Sequence, residues 1–200
     1  MHRRLGSLVT IIAAAALLPT PAAAQVVSPG FAVGATGGFE TYSLQIAERE
    51  YGPSLEAFLR YTWESSFQLV GGVSYSSINV DIVDDDRRVW TVFVEPRLLL
   101  GNWVSDKLTV YVGIRGGYLQ QSIDTVVNNQ PVDANANGWI FGGTANLLTK
   151  LSETVALDVI GLFGLSGSGD PEVNGEPIGM EGEPTAWYGG LKAGLVFSIP

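Results

Sequence analysis

The chain contains no cysteine, which removes disulfides and thiol chemistry from consideration. Its single histidine is His2, inside a segment that reads as cleaved. No Ser-His or Cys-His constellation can therefore be assembled for nucleophilic catalysis. The chain reads as a non-enzyme with no cofactor, a site built from Asp and Glu alone being the enzymatic alternative left. No stretch of 18 consecutive apolar residues follows the N-terminus, so a helical membrane span is excluded. Charge is scarce too: 16% of residues are Asp, Glu, Lys or Arg, against about a quarter in soluble domains. What charge there is has a formal sum of −9, and removing Arg3 and Arg4 takes it to −11. That balance speaks against nucleic acid as a partner.

What the chain has in excess is glycine, 25 of 200 residues. Glycine suits curved sheets and close packing inside a narrow bore. Residues 1–24 read as a signal peptide: His2, Arg3 and Arg4 form a basic start, and an apolar stretch runs from Leu8 to Leu18. Ala22-Ala23-Ala24 before Gln25 supplies the small-residue cleavage site. Residues 25–200 then form one domain, large enough for a closed sheet.

In that domain, charged residues recur on one side of an alternating pattern. Glu56 and Arg60 lie between Leu55, Ala57, Leu59 and Tyr61, while Glu95 and Arg97 lie between Val94, Pro96 and Leu98. Arg115, Asp158 and Lys192 are placed in the same way. A period of two with one apolar and one polar face is the signal of a strand. Eight strands are expected, at about 30–42, 54–62, 66–76, 89–100, 108–120, 138–148, 154–165 and 185–199. The connections Trp63–Ser65, Gly101–Lys107 and Thr149–Glu153 are short. Gln45–Pro53, Ser77–Arg88, Gln121–Asn137 and Ser166–Pro184 are longer and hold thirteen acidic residues against Arg49, Arg87 and Arg88. Short turns at one end and long loops at the other describe an all-β, eight-stranded antiparallel transmembrane β-barrel, an up-and-down meander. The short turns would face the periplasm and the long loops the outside.

The signal peptide, the eight strands and the run Gly190-Leu191-Lys192-Ala193-Gly194-Leu195-Val196-Phe197 together resemble the small outer-membrane β-barrel superfamily of opacity-protein, OmpX and OmpA-transmembrane types. The resemblance covers nearly the whole mature chain and is architectural. It implies a monomer in the outer membrane of a diderm bacterium, with lipid around it and an extracellular ligand or protein as partner of the long loops.

Alternation alone does not say which face points outward. A soluble lipocalin-like barrel would hide the apolar face. The apolar face carries Trp63, Trp90, Trp139 and Trp187, more bulk than a small interior holds, so it is assigned to lipid. Leu157 and Leu195 are placed near the membrane mid-plane. The charged face becomes a lumen in which Glu56, Arg60, Glu95, Arg97, Arg115, Asp158 and Lys192 pair, joined by Glu40. Hairpin folding sets Asp158 opposite Lys192 and Glu95 beside Arg115. No metal site is assigned, although two segments have a calcium-like spacing. One is Asp170, Glu172 and Asn174 with Glu181 at the twelfth position; the other begins at Asp133, Asn135 and Asn137. Ordinary turns use the same residues. The run Asp84-Asp85-Asp86-Arg87-Arg88 is read as a solvated loop. The expected role is a membrane-embedded scaffold displaying acidic loops, with a narrow channel for ions or small solutes as the alternative.

Overall fold

The computed structural model describes residues 29–43, 50–63, 66–79, 86–105, 108–127, 130–177 and 185–199. The signal segment 1–24, and Glu181 with it, lie outside the described residues. Eight long strands are present: β1 (Gly30–Ser43), β2 (Glu50–Thr62), β3 (Phe67–Asn79), β4 (Asp86–Ser105), β5 (Leu108–Val127), β6 (Gln130–Lys150), β7 (Val155–Ser168) and β10 (Thr185–Ser198). Between the last two sits a small hairpin of β8 (Glu172–Val173) and β9 (Glu176–Pro177).

Each long strand pairs antiparallel with its neighbours in sequence, and β1 pairs with β10. The sheet is therefore a closed, eight-stranded, up-and-down barrel. Its stagger can be read from one row of partners. Val33 faces Leu59, which leads through Gly71, Val94, Gly116, Phe141, Leu165 and Trp187 back to β1 at Ser43. One circuit thus shifts the register by ten residues, from 33 to 43. A stagger of this size over eight strands requires tilted strands, roughly 35–45° from the axis, and leaves a bore that side chains fill.

Side-chain parity follows the sequence pattern. Phe39, Leu55, Trp90, Val92, Tyr118, Phe141, Phe163, Trp187 and Leu191 all point outward and are exposed, Leu191 at 63%. The charged residues of the alternation are buried inside. A soluble barrel demands the opposite arrangement, so the lipocalin-like alternative does not fit this geometry. Around one end runs an aromatic cluster in which Phe31, Tyr61, Trp63 and Phe67 meet in succession, tilted or edge to face, with centroids 4.5–5.2 Å apart. Aromatic side chains at that level are what a membrane–water interface favours.

Inside, two glycines are required by close approach. A Cβ on Gly142 would lie 2.8 Å from the Tyr188 hydroxyl, and one on Gly164 would lie 2.7 Å from the same ring. These facing glycines make the slot in which the Tyr188 ring lies.

Several strand boundaries differ from the sequence reading. Gln121–Asn137 is not mainly a loop: β5 and β6 continue as a ladder to the pair Val127–Gln130. The partners β4 and β7 stop at Ser122 and Gly138 respectively, so this hairpin stands out beyond the barrel. The hairpin β8–β9 docks on it through Ala134–Val173 and Asn135–Glu172. Pro53 and Gly101–Ser105 also belong to strands. Leu157 and Leu195 face each other and point outward, but Leu157 is the third residue of β7. They therefore lie near the short-turn rim, not at mid-height.

Candidate functional site

The lumen holds the polar side chains, and the strands deliver them from all sides. Glu40 comes from β1, Glu56 and Arg60 from β2, Glu95 and Arg97 from β4, Arg115 from β5, Asp158 from β7 and Lys192 from β10. Each is at most 4% exposed. Seven of them form one alternating chain of ion pairs. Asp158 meets Arg97 at 3.2 Å, Arg97 meets Glu95 at 2.6 Å, and Glu95 meets Arg115 at 2.7 Å. Arg115 then reaches Glu56 at 2.7 Å, Glu56 meets Lys192 at 3.0 Å, and Lys192 meets Glu40 at 2.7 Å. Carboxylates and cations alternate throughout, so every member is flanked by charge of the opposite sign. That is the condition under which charge in a low-dielectric bore becomes tolerable.

Neutral groups complete the chain. The Thr144 hydroxyl donates to Glu95 at 2.7 Å, and the Asn146 amide lies 3.4 Å from the same oxygen. Ser76 donates to Glu40 and also approaches Ser54 at 3.0 Å. The guanidinium of Arg115 lies over the Phe93 ring, 3.8 Å from its centroid, a cation–π contact that holds its plane.

The pairing differs from the sequence expectation in one respect. Glu95 and Arg115 are partners, but Asp158 and Lys192 are not. Both point into the lumen, yet Asp158 faces Gly194 and Lys192 faces Ile160. Asp158 instead crosses the bore to Arg97, and Lys192 turns to Glu40 and Glu56. In a bore this narrow, side chains reach strands that are not neighbours, so hairpin register does not decide the partner.

Apolar side chains are also buried in the lumen on both sides of the chain. Toward the long-loop end, Tyr42, Ile78, Val89, Leu119, Ile140 and Tyr188 are buried. Toward the short-turn end, Ala32, Tyr111, Leu148 and Val196 are buried. Arg87, read as part of a solvated loop, is likewise inside: it belongs to β4, is 4% exposed and lies over the Tyr42 ring. The acids Asp84 and Asp85 lie outside the described residues.

The calcium-like segments take other shapes. Asp133 and Asn135 lie in strand β6, and no loop of ligands forms there. Asn174 and Gly175, with φ of 52° and 81°, make the two-residue turn of the β8–β9 hairpin. The Asn174 side-chain oxygen accepts a hydrogen bond from the Asp133 backbone N–H at 3.1 Å. Its oxygen therefore pins the hairpin to β6. Among the described residues no group of three or more His, Cys, Asp or Glu is placed to hold a metal ion.

No family model matches the chain, and no curated protein matches its sequence. Solved structures do match its shape. Neisserial surface protein A superposes with a TM-score of 0.62 at 15% identity, over 85% of this chain and 97% of that one. Ail, the attachment invasion locus protein of Yersinia pestis, gives 0.51 at 11% identity over 85% and 100%. The outer membrane protein OprG of Pseudomonas aeruginosa gives 0.51 at 12% identity over 87% and 99%.

Proposed function

The fold is that of the small eight-stranded outer-membrane barrels, and we propose that this chain works as one: a membrane-embedded scaffold whose lumen is sealed and whose working surface is its long-loop end. The single observation that carries this reading is the lumen itself. A continuous chain of buried ion pairs with apolar side chains buried above and below it supports a filled bore, as eight-stranded bores are. Outside, the exposed Trp, Phe, Leu and Val side chains match a lipid surround, and low charge matches it too.

The long-loop end offers the interaction surface. The β5–β6 hairpin projects past the barrel, and among the described residues no strand pairs with Ile123–Val127 on the side away from β6. Asp124, Asp133, Asp170, Glu172 and Glu176 are exposed around it, with Arg88 paired to Asp124 at 3.1 Å. An acidic, water-screened surface suits an extracellular ligand or protein and disfavours nucleic acid. The names of two similar structures, a surface protein and an attachment invasion locus protein, fit outward display. The same reading gives a monomer in the outer membrane with no enzymatic chemistry.

Planar-bilayer recording of the purified barrel separates scaffold from channel. A filled lumen gives no sustained conductance steps; steady steps of one size would favour the narrow-channel reading instead.

A further inference from the structure

Arg60 is a lumen charge that stands outside the ion-pair chain, on its short-turn side. It is 1% exposed, and all three of its guanidinium nitrogens lack a hydrogen-bond partner among the described residues. Its neighbours on the inward face share the deficit. Thr62 follows it by two on β2, and Thr62 faces Gln68, which in turn faces Arg97. The Thr62 hydroxyl, both polar atoms of the Gln68 amide and Nη2 of Arg97 are all buried and, among the described residues, unpartnered. So is Oδ1 of Asp158, the acid that faces Arg60 electrostatically together with Arg97 and Tyr111.

Eight buried polar atoms in one sector of the lumen are too many to leave without partners, because each would cost about 1–3 kcal/mol. Arginine cannot escape by losing its proton. A bound anion is the simplest counter-charge to consider, but the charge balance opposes it. The ion-pair chain holds four carboxylates and three cations, so Arg60 already brings those eight groups to neutrality; the other buried cation among the described residues, Arg87, stands at the far, long-loop end over the Tyr42 ring. The unpartnered atoms are also of both kinds, donors on Arg60, Arg97 and Gln68 and acceptors on Gln68 and Asp158. The ligand that serves both without adding charge is water.

We infer that the short-turn half of the lumen is a closed hydration site, in which about three ordered waters, at roughly three hydrogen bonds each, join Arg60 to Gln68, Thr62, Arg97 and Asp158. Arg60 and Asp158 are then a water-separated ion pair. Hydration stops at the Glu95–Arg115–Glu56 contacts, where the charges touch directly. The site rests on the sealed-lumen reading but has its own signature, since a dry lumen would be equally sealed.

The test is NMR of the 15N-labelled mature chain refolded in micelles, reading cross-peaks from side-chain N–H groups to long-lived water. Cross-peaks are expected at Arg60 Nε–H and the Gln68 amide and not at Arg115 Nε–H, which is held by Glu95. Arg60→Met should abolish or shift the Gln68 peak while the backbone spectrum keeps barrel dispersion; Gln68→Leu, the milder change, should weaken the Arg60 peak. Anomalous scattering from a bromide soak at Arg60 would replace water by an anion and overturn the inference. So would a crystal structure showing Arg60 in direct contact with Asp158 and no water between them. Conductance of the same preparation reports independently on whether the lumen is sealed.

Discussion

Arg115 grips Glu56 with two nitrogens, at 2.7 and 3.0 Å, although their strands β5 and β2 are separated by two others. The contact spans the bore. Forked geometry of this kind makes two parallel charge-assisted hydrogen bonds and is specific to arginine. With Nε also bonded to Glu95 at 2.7 Å, one side chain ties three strands across the middle of the barrel.

Removing that tie leaves Glu56 with Lys192 alone and Glu95 with Arg97 alone, and the buried chain one positive charge short. Arg115→Met should cost about 3–5 kcal/mol in reversible unfolding from lipid vesicles, the range for breaking one side of a buried pair. Adding Glu56→Gln to the same chain should recover part of the loss, because the excess buried negative charge disappears. Strictly additive losses in this double-mutant cycle would mean that the two side chains do not interact.

The lipid face has a depth profile. Leu191 lies midway along β10, faces Gly161 and is among the most exposed apolar residues. Leu191→Arg should lower barrel stability by about 2–4 kcal/mol, whereas Leu157→Arg, near the rim, should cost about 0–1 kcal/mol. Equal costs at both positions would contradict the assigned height.

Closure of the barrel can be locked, since no native cysteine competes. Ala35 and Leu195 are direct partners across the β1–β10 seam, within the span a disulfide bridges. The pair Ala35→Cys with Leu195→Cys should oxidise spontaneously and retard heat-unfolding on a gel, an effect reversed by reductant. Ala35→Cys with Phe197→Cys, two residues out of register, should form it far less completely.

Orientation is testable on intact cells. Glu176→Cys, on the β8–β9 hairpin, should react with a membrane-impermeant maleimide, while Glu153→Cys, in the short turn before β7, should react only after the outer membrane is opened. Labelling in the reverse order would turn the barrel over and remove the surface-display reading.

Much of this architecture was legible from period-two alternation. The outward set that includes Trp90, Val92, Val94 and Leu98 on β4 is the exposed set in the structure, because a strand has only two faces and the error of parity is all or nothing. The extent of β5 and β6 was not legible. Asn135, Ala136 and Asn137 have turn-forming composition, and pairing with Ser122, Gln121 and Gln120, with Glu172 on the other side of Asn135, holds them in a ladder. Nor could alternation show that Phe93, Leu119 and Leu148 would be buried inside the lumen; an apolar residue reads alike on either face. The partner of Asp158 escaped for a third reason: the ten-residue stagger of the closed barrel, and not the local hairpin, brings Arg97 to it.

The most direct test of the account is cell fractionation followed by a gel run with and without heating. An outer-membrane barrel sealed by its own side chains should be found in the outer-membrane fraction, and unheated it should migrate faster than the boiled chain, because the closed sheet resists detergent until heated. Recovery of the mature chain as a folded, monodisperse protein in plain buffer, with no heat-dependent shift, would contradict the membrane assignment and everything built on it.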